Sequence, residues 1–363
     1  MMKKLLFSLS ALVLTASAWA GDVLTMAVGT YTDTGSTGIY SFSFDQNSGE
    51  ARLLDSLAMT NPSYLAFARG GRLLYAVSET PDEHASLNAV AFDAATGKMT
   101  FLNKHLTGGA DPCFVEATDS MALTANYSGG SMSVFPVLKD GSLGPCRYIF
   151  RGNVAKGSKA PQNVPHIHTA RFMPDGHILA TDFSADQILL YKTTDGNVVP
   201  QGVAGRLVAG SAPRHIEHSA DWNRVYAMSE LGGTVTVFSN RDGKLTRIQT
   251  IASDSVGGRG GADLHLSPDR RYLYASNRLK ADGISIFKVN PQSGKLRKVG
   301  YQLTDIHPRN FIITPNGRFL LCACRDGNDI QVYERDARTG MLTLTPNTIH
   351  LKKPVCIKLL GGE

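Results

Sequence analysis

Long apolar runs are scarce in this sequence. After residue 20 no stretch approaches the ~20 consecutive apolar residues of a spanning helix, so the body of the chain offers no membrane span. Blocks of basic side chains are also absent. The formal net charge is +6, or +4 once Lys3 and Lys4 are set aside, and it is spread too evenly to mark nucleic acid as a partner. The five cysteines, Cys113, Cys146, Cys322, Cys324 and Cys356, include no CxxC pair of the zinc-binding kind. Their odd number leaves at least one thiol outside any intramolecular bridge, although one or two long-range disulfides are compatible with the count. Cys322 and Cys324, two apart on one expected strand, do not have the geometry to bridge each other. A GxSxG elbow is missing, and "YSGGS" at Tyr127–Ser131 reads as a turn, which argues against a serine nucleophile. The pattern contains no long helix.

The first twenty residues are of a different kind. "MMKKLLFSLSALVLTASAWA" has two lysines, an apolar run from Leu5 to Leu14 and small residues ending in Ala18-Trp19-Ala20. That layout predicts a signal peptide over residues 1–20, too short in its apolar part to span a bilayer, and a mature domain over 21–363. The expected location is periplasmic or extracellular, with no membrane attachment after cleavage.

Within the mature chain a motif recurs about every fifty residues: "RLLYAVSE" from Arg72, "MALTANYS" from Met121, "HILATDFS" from His177, "RVYAMSEL" from Arg224, "RYLYASNR" from Arg271 and "RFLLCACR" from Arg318. Each copy follows a stretch opening near a proline (Pro62, Pro112, Pro165, Pro213, Pro308, with Ala262 in the fifth), and each precedes an alternating run such as "GTVTVFS" and a weaker fourth run. Four short strands joined by tight turns make a propeller blade. "VLTMAVGTY" and "TGIYSFSFDQNSGEARLL" supply three strands of a further blade, and "KPVCIKLL" near the other end supplies its missing first strand. The expected fold is all-β: a seven-bladed β-propeller of four-stranded blades, closed by N- and C-terminal strands in one blade, which leaves no free sheet edge in the ring.

In such a ring the starts of the first strands and the ends of the second strands emerge on one face. The starts give Asn61, Asp111, His166, His168, Arg214, His215, Asp263, His307 and Arg309; the ends give Tyr31, Glu79, Tyr127, Asp182, Glu230, Arg278 and Arg325. Strict alternation would turn His166 and His168 of "QNVPHIHT" to the same side. Polar groups gathered at one mouth predict a small-molecule site, centred on His166, His168, Arg214, Glu230 and Arg278 in three adjacent blades. Guanidinium groups suit an anionic or strongly polar ligand. An HxH pair with Glu230 is also a conceivable zinc set, but closely spaced histidines are more often hydrogen-bonded than metallated, and the cationic mouth disfavours calcium. The expectation is no metal and no cofactor.

"VPHIHTARFMPDG", "APRHIEHSADWNRVYAMSEL", "LHLSPDRRYLYASNR", "HPRNFIITPNGRFLL" and "NYSGGSMSVFPV" together resemble the lactonase family of seven-bladed propellers, which includes a bacterial 6-phosphogluconolactonase and, more distantly, muconate-lactonizing enzymes. The likeness runs over essentially the whole mature chain. It implies a lactone hydrolase with a PHxH motif on His166 and His168, PRH on Arg214 and His215, an acid at Glu230 and SNR ending on Arg278. Ser229 stands where the family usually has Asn, and Ala323-Cys324-Arg325 where it often has Ala-Asn-Gln; the second change puts a cation on the rim. The expected mechanism uses His168 or Glu230 as general base on water, with Arg214 and Arg278 holding the lactone oxygen or an anionic group, and His215, Arg309, Tyr127 and Arg325 contacting substrate. Two other readings fit the same ring: a ligand- or protein-binding propeller without turnover, and a lactonizing cycloisomerase.

Overall fold

The computed structural model describes residues 21–155 and 158–361; the expected signal peptide lies outside them. Seven antiparallel sheets follow one another along the chain and form the blades of a ring. The first strands, innermost, are Leu65–Ala68, Pro112–Ala117, Ile167–Phe172, Pro213–His218, Gly261–Leu266, Pro308–Ile313 and Pro354–Leu359, for blades one to seven. The seventh blade is completed from both ends of the sequence, in the order Pro354–Leu359, Val23–Thr30, Gly38–Asp45, Ala51–Ala58. In the sixth blade the outer strand is broken into Leu342–Leu344 and Ile349–His350, both paired to Asp329–Arg335. Among the described residues the only helical turns are 3-10 segments at 69–71 and 183–185.

Burial explains why the fourth run of each repeat is the weakest in the sequence. Second strands such as Leu73–Ser78 and Met121–Asn126 are buried at every position, because other blades cover both faces. Outer strands such as Met99–Leu106 are largely exposed and carry mixed polar side chains. Apolar side chains packed between blades form the core, for example Leu264, Leu273, Ala275 and Phe287 of blade five against Tyr226, Met228, Val235 and Val237 of blade four.

Blades approach closely enough near the axis to require glycine. A Cβ on Gly29, in the second strand of the closing blade, would lie 2.0 Å from the Pro62 carbonyl oxygen of blade one. Gly29→Ala is therefore expected to lower the unfolding free energy by about 1–3 kcal/mol, the usual cost of overpacking. A denaturant melt equal to that of the parent protein would show that the blades can part there without penalty.

One main-chain device recurs in all seven blades. The residue that follows each second strand donates its backbone N–H to a carbonyl ahead of the first strand: Tyr31 to Lys353, Glu79 to Asn61, Tyr127 to Asp111, Phe183 to His166, Glu230 to Ala212, Arg278 to Gly260 and Arg325 to His307, over 2.8–3.0 Å. This clasp fixes one side chain per blade at the same mouth. Six of them are the expected strand-end residues. In blade three the clasped residue is Phe183, because Asp182 is the last residue of its strand and turns away to accept bonds from the Asn153 backbone and side chain and from Gln187.

Candidate active site

Register shifts at the start of the first strands decide what faces the mouth. Pairing breaks between Ile167 and Ala170, Pro213 and Ile216, Gly261 and Leu264, and Pro308 and Asn310. A bulge of this kind suspends alternation and re-aims consecutive side chains. His168 thereby takes the place that Arg214, Arg309 and Cys113 hold in their blades, one residue into the strand. His166 lies before its strand, equivalent to Ala212 and His307. The two histidines are thus neighbours with different surroundings, a departure from strict alternation.

His166 stacks on the Tyr127 ring, centroids 4.1 Å apart, and its Nδ1 and Nε2 lie 2.8 and 3.1 Å from the carbonyl oxygens of Tyr127 and Pro161. Neither nitrogen is turned to the mouth, so His166 serves as a wall. His168 is buried, with Nδ1 3.6 Å from Cys113 Sγ and its ring 5.1 Å from that of His215. Burial, then the charges of Arg214 and the neighbouring groups, holds its pKa well below the usual histidine range, so the ring is neutral at physiological pH.

The arginines meet at one carboxylate. Arg214 Nε lies 3.0 Å and Arg278 Nη2 3.1 Å from the same oxygen, Oε2 of Glu230, whose side chain is 21% exposed while those of the two arginines are 2% and 6%. Backbone carbonyls hold the arginines from behind: Ala262 accepts from Arg214 at 2.7 Å, and Gly260 from Arg278 at 2.9 Å. Arg309 sits over the Tyr31 ring at 5.3 Å and 3.8 Å from Glu79, which also accepts bonds from Tyr31 Oη and Ser63 Oγ. Arg325 is turned to its neighbour Asp326, at 2.8–3.0 Å, and stays partly exposed on the rim. Glu79 and Tyr31 complete the mouth, and Cys113 joins them beyond the expected set. The first two were visible as strand ends; the thiol gave no signal, being one residue into its strand like Arg214.

Below the mouth a belt of side chains closes the axis. Tyr64 packs on Phe114 at 4.4 Å, and both pack on His215 at 5.7 Å; His215 bonds Asp263 at 2.7 Å, Asp263 accepts from Asn310 Nδ2, and Asn310 accepts from the Ile357 N–H at 2.7 Å. Beyond the belt, Glu116 pairs with Arg171 at 3.3 Å and His265 with Asp263 and Glu217 at 3.0 and 3.6 Å. A cavity of about 320 Å³ opens there on the opposite side of the ring. His215 therefore lies under the mouth rather than on it. Among the described residues no three His, Cys, Asp or Glu side chains converge as a metal site, and no disulfide joins any of the five cysteines.

These histidines set opposite pH limits on stability. Burial and Arg214 push His215 down to about 3, and burial and Arg278 push His307 down to about 2. Both stay neutral in the fold, so their contribution is present above an unfolded pKa of ~6.5 and is lost progressively as pH falls below it. Burial opposes charge on His265, but Asp263 and Glu217 outweigh it and raise the pKa to about 9. Its contribution is present below pH ~6.5 and is lost as pH rises through about 9. Thermal melts across pH 4–10 are expected to peak near pH ~6.5, with both flanks falling; a flat profile would mean these rings titrate as they do in the unfolded chain.

A closed ring with three guanidinium groups and two carboxylates gathered at one end of its axis is a propeller with a charged mouth. The chain belongs to the lactonase family of seven-bladed propellers: residues 25–359 match the family described as Lactonase, 7-bladed beta-propeller. It is 35% identical over 345 residues to a 6-phosphogluconolactonase of Bacillus subtilis, covering 92% of this chain and 97% of the relative. A solved structure from Bacteroides uniformis, described as a candidate 6-phosphogluconolactonase, superposes with a TM-score of 0.91 at 51% identity over 93% of this chain and 99% of that one. The periplasmic gluconolactonase of Pseudomonas aeruginosa superposes with a TM-score of 0.87 at 29% identity, over 94% and 100% of the two chains. The family is one of enzymes that hydrolyse lactone esters.

Proposed function

We propose that this protein is an exported hydrolase of sugar lactones in which Glu230 activates water and Arg214 and Arg278 stabilise the oxyanion. The observation that carries the reading is the convergence of both arginines on one oxygen of a partly exposed carboxylate. Water adds to the lactone carbonyl carbon as its proton passes to Glu230. Negative charge leaves the carboxylate and appears on the carbonyl oxygen, so the two guanidiniums face one anion before and during the step. When the ring C–O bond breaks, the ring oxygen takes the proton back, giving the hydroxy acid. His168, buried and neutral, is assigned to hydrogen-bonding the water or substrate.

Export is supported by the composition of residues 1–20, and a relative named a periplasmic gluconolactonase supports an extracytoplasmic role for this fold. In that compartment aldonolactones, rather than metabolites confined to the cytoplasm, meet the site. Purified mature protein is expected to accelerate acid release from sugar lactones in a pH-indicator assay. Glu230→Gln should lower kcat by about 10²–10⁴, whereas His168→Gln should cost less. A Glu230→Gln variant that retains the parental kcat would pass the base role to His168, and no lactone turned over by the parent protein would leave a binding propeller.

A further inference from the structure

The two site arginines lean on histidines in the same way. Arg214 Nη1 lies 3.4 Å from His215 Nε2, and His215 Nδ1 lies 2.7 Å from Asp263. Arg278 Nη1 lies 3.3 Å from His307 Nε2, and His307 Nδ1 lies 3.2 Å from Asp326. The four side chains facing the arginines in these two chains occupy non-equivalent places in the repeat. His215 is two residues into its strand and His307 precedes its strand; Asp263 lies in a first strand and Asp326 follows a second. The arrangement is therefore not a by-product of blade symmetry.

A guanidinium has only donors, so the imidazole nitrogen facing it must offer a lone pair, and the other nitrogen must carry the hydrogen. A carboxylate behind the ring selects that tautomer. We propose that Asp263 and Asp326 are positioning residues: each fixes the Nδ1–H tautomer of a buried histidine, whose Nε2 lone pair then anchors Arg214 or Arg278 without cancelling its charge. Glu230 already lies against both guanidiniums; a further carboxylate in place of either imidazole would orient them equally well, yet would leave the group without net positive charge. Setting the anion one imidazole away keeps the cation available to the mouth, and both rings are held neutral, at about 3 for His215 and about 2 for His307. Asp263 is itself pinned, accepting from the Leu264 and Phe311 amides, His265 and Asn310. Asp326 is pinned by Arg325 and Lys353.

The structural half of the proposal is independent of the proposed lactonase activity; the kinetic half rests on it. Long-range ¹H–¹⁵N spectra of histidine-labelled protein at neutral pH, assigned with His215→Gln and His307→Gln, are expected to show protonated Nδ1 and bare Nε2 at both residues. A protonated Nε2 at either would overturn the assignment, whatever the protein hydrolyses. In kinetics, His307→Gln keeps an acceptor where Nε2 stood and should retain kcat/KM within about threefold, whereas His307→Leu should lose roughly 10- to 100-fold, the worth of a hydrogen bond to a charged group. Asp326→Asn should shift the His307 tautomer signals and lower kcat. Equal rates for the Gln and Leu variants, or an unmoved His307 spectrum in Asp326→Asn, would refute the relay. If the parent protein turns over no lactone, the spectra still decide the tautomers, and only the assigned function falls.

Discussion

Replacing Arg278 with alanine should lower kcat for lactone hydrolysis by about 10²–10³, the loss seen when one preorganised donor to an oxyanion is removed. Arg214→Ala should act in the same range and add a stability cost, because its side chain is only 2% exposed and its removal leaves a buried gap beside Glu230. Lysine at 278 should restore little. A single ammonium cannot reach Glu230, the Gly260 and Gly261 carbonyls and His307 together, as the guanidinium does. Comparison of kcat and KM for the alanine and lysine variants, with circular dichroism to verify folding, gives the test. Parental kcat in both alanine variants would remove the arginines from the chemistry.

The second large effect concerns the ring itself. Deleting the chain from Pro354 onward removes the innermost strand of the closing blade, which pairs with Val23–Thr30 and buries Val355, Ile357 and Leu359 to 2% exposure or less. Three such side chains contribute about 5–9 kcal/mol in transfer terms, comparable to the whole stability of an ordinary domain. The loss also bares an open strand edge along the axis and leaves Asn310 without the Ile357 N–H. The truncated protein is expected to aggregate or to show no cooperative melt. A soluble product with a parental melting temperature would mean that the six remaining blades hold the circle unaided.

The repeat made the blades, their order and the shared closing blade readable from sequence, because strand period, turn residues and spacing are local properties. The mouth was readable to the extent that it depends on the same repeat, which is why Glu230, Arg278, Arg325 and Tyr127 fall at matching clasps. Three features were not. The bulge at Ile167 separates His166 from His168, and alternation gives no sign of it. Phe183 displaces Asp182 at the mouth, because Asp182, like Asn126, Ser229 and Asn277, is the last residue of its strand, a boundary that the acidic side chain obscured. The third is the pairing of His215 with Asp263 and of His307 with Asp326. Those contacts join side chains whose separation in the chain carries no periodic signature, so they appear only once the circle is closed.

The clasp beneath the mouth is made of main-chain atoms alone, and this separates architecture from specificity. Exchanging Tyr31, Glu79, Tyr127, Phe183, Glu230, Arg278 or Arg325 leaves each amide-to-carbonyl link intact. Substitution at any of the seven leaves the main-chain scaffold in place, while the side chains change the mouth in linked pairs, Tyr31 with Glu79, Tyr127 with Phe183 and Glu230 with Arg278.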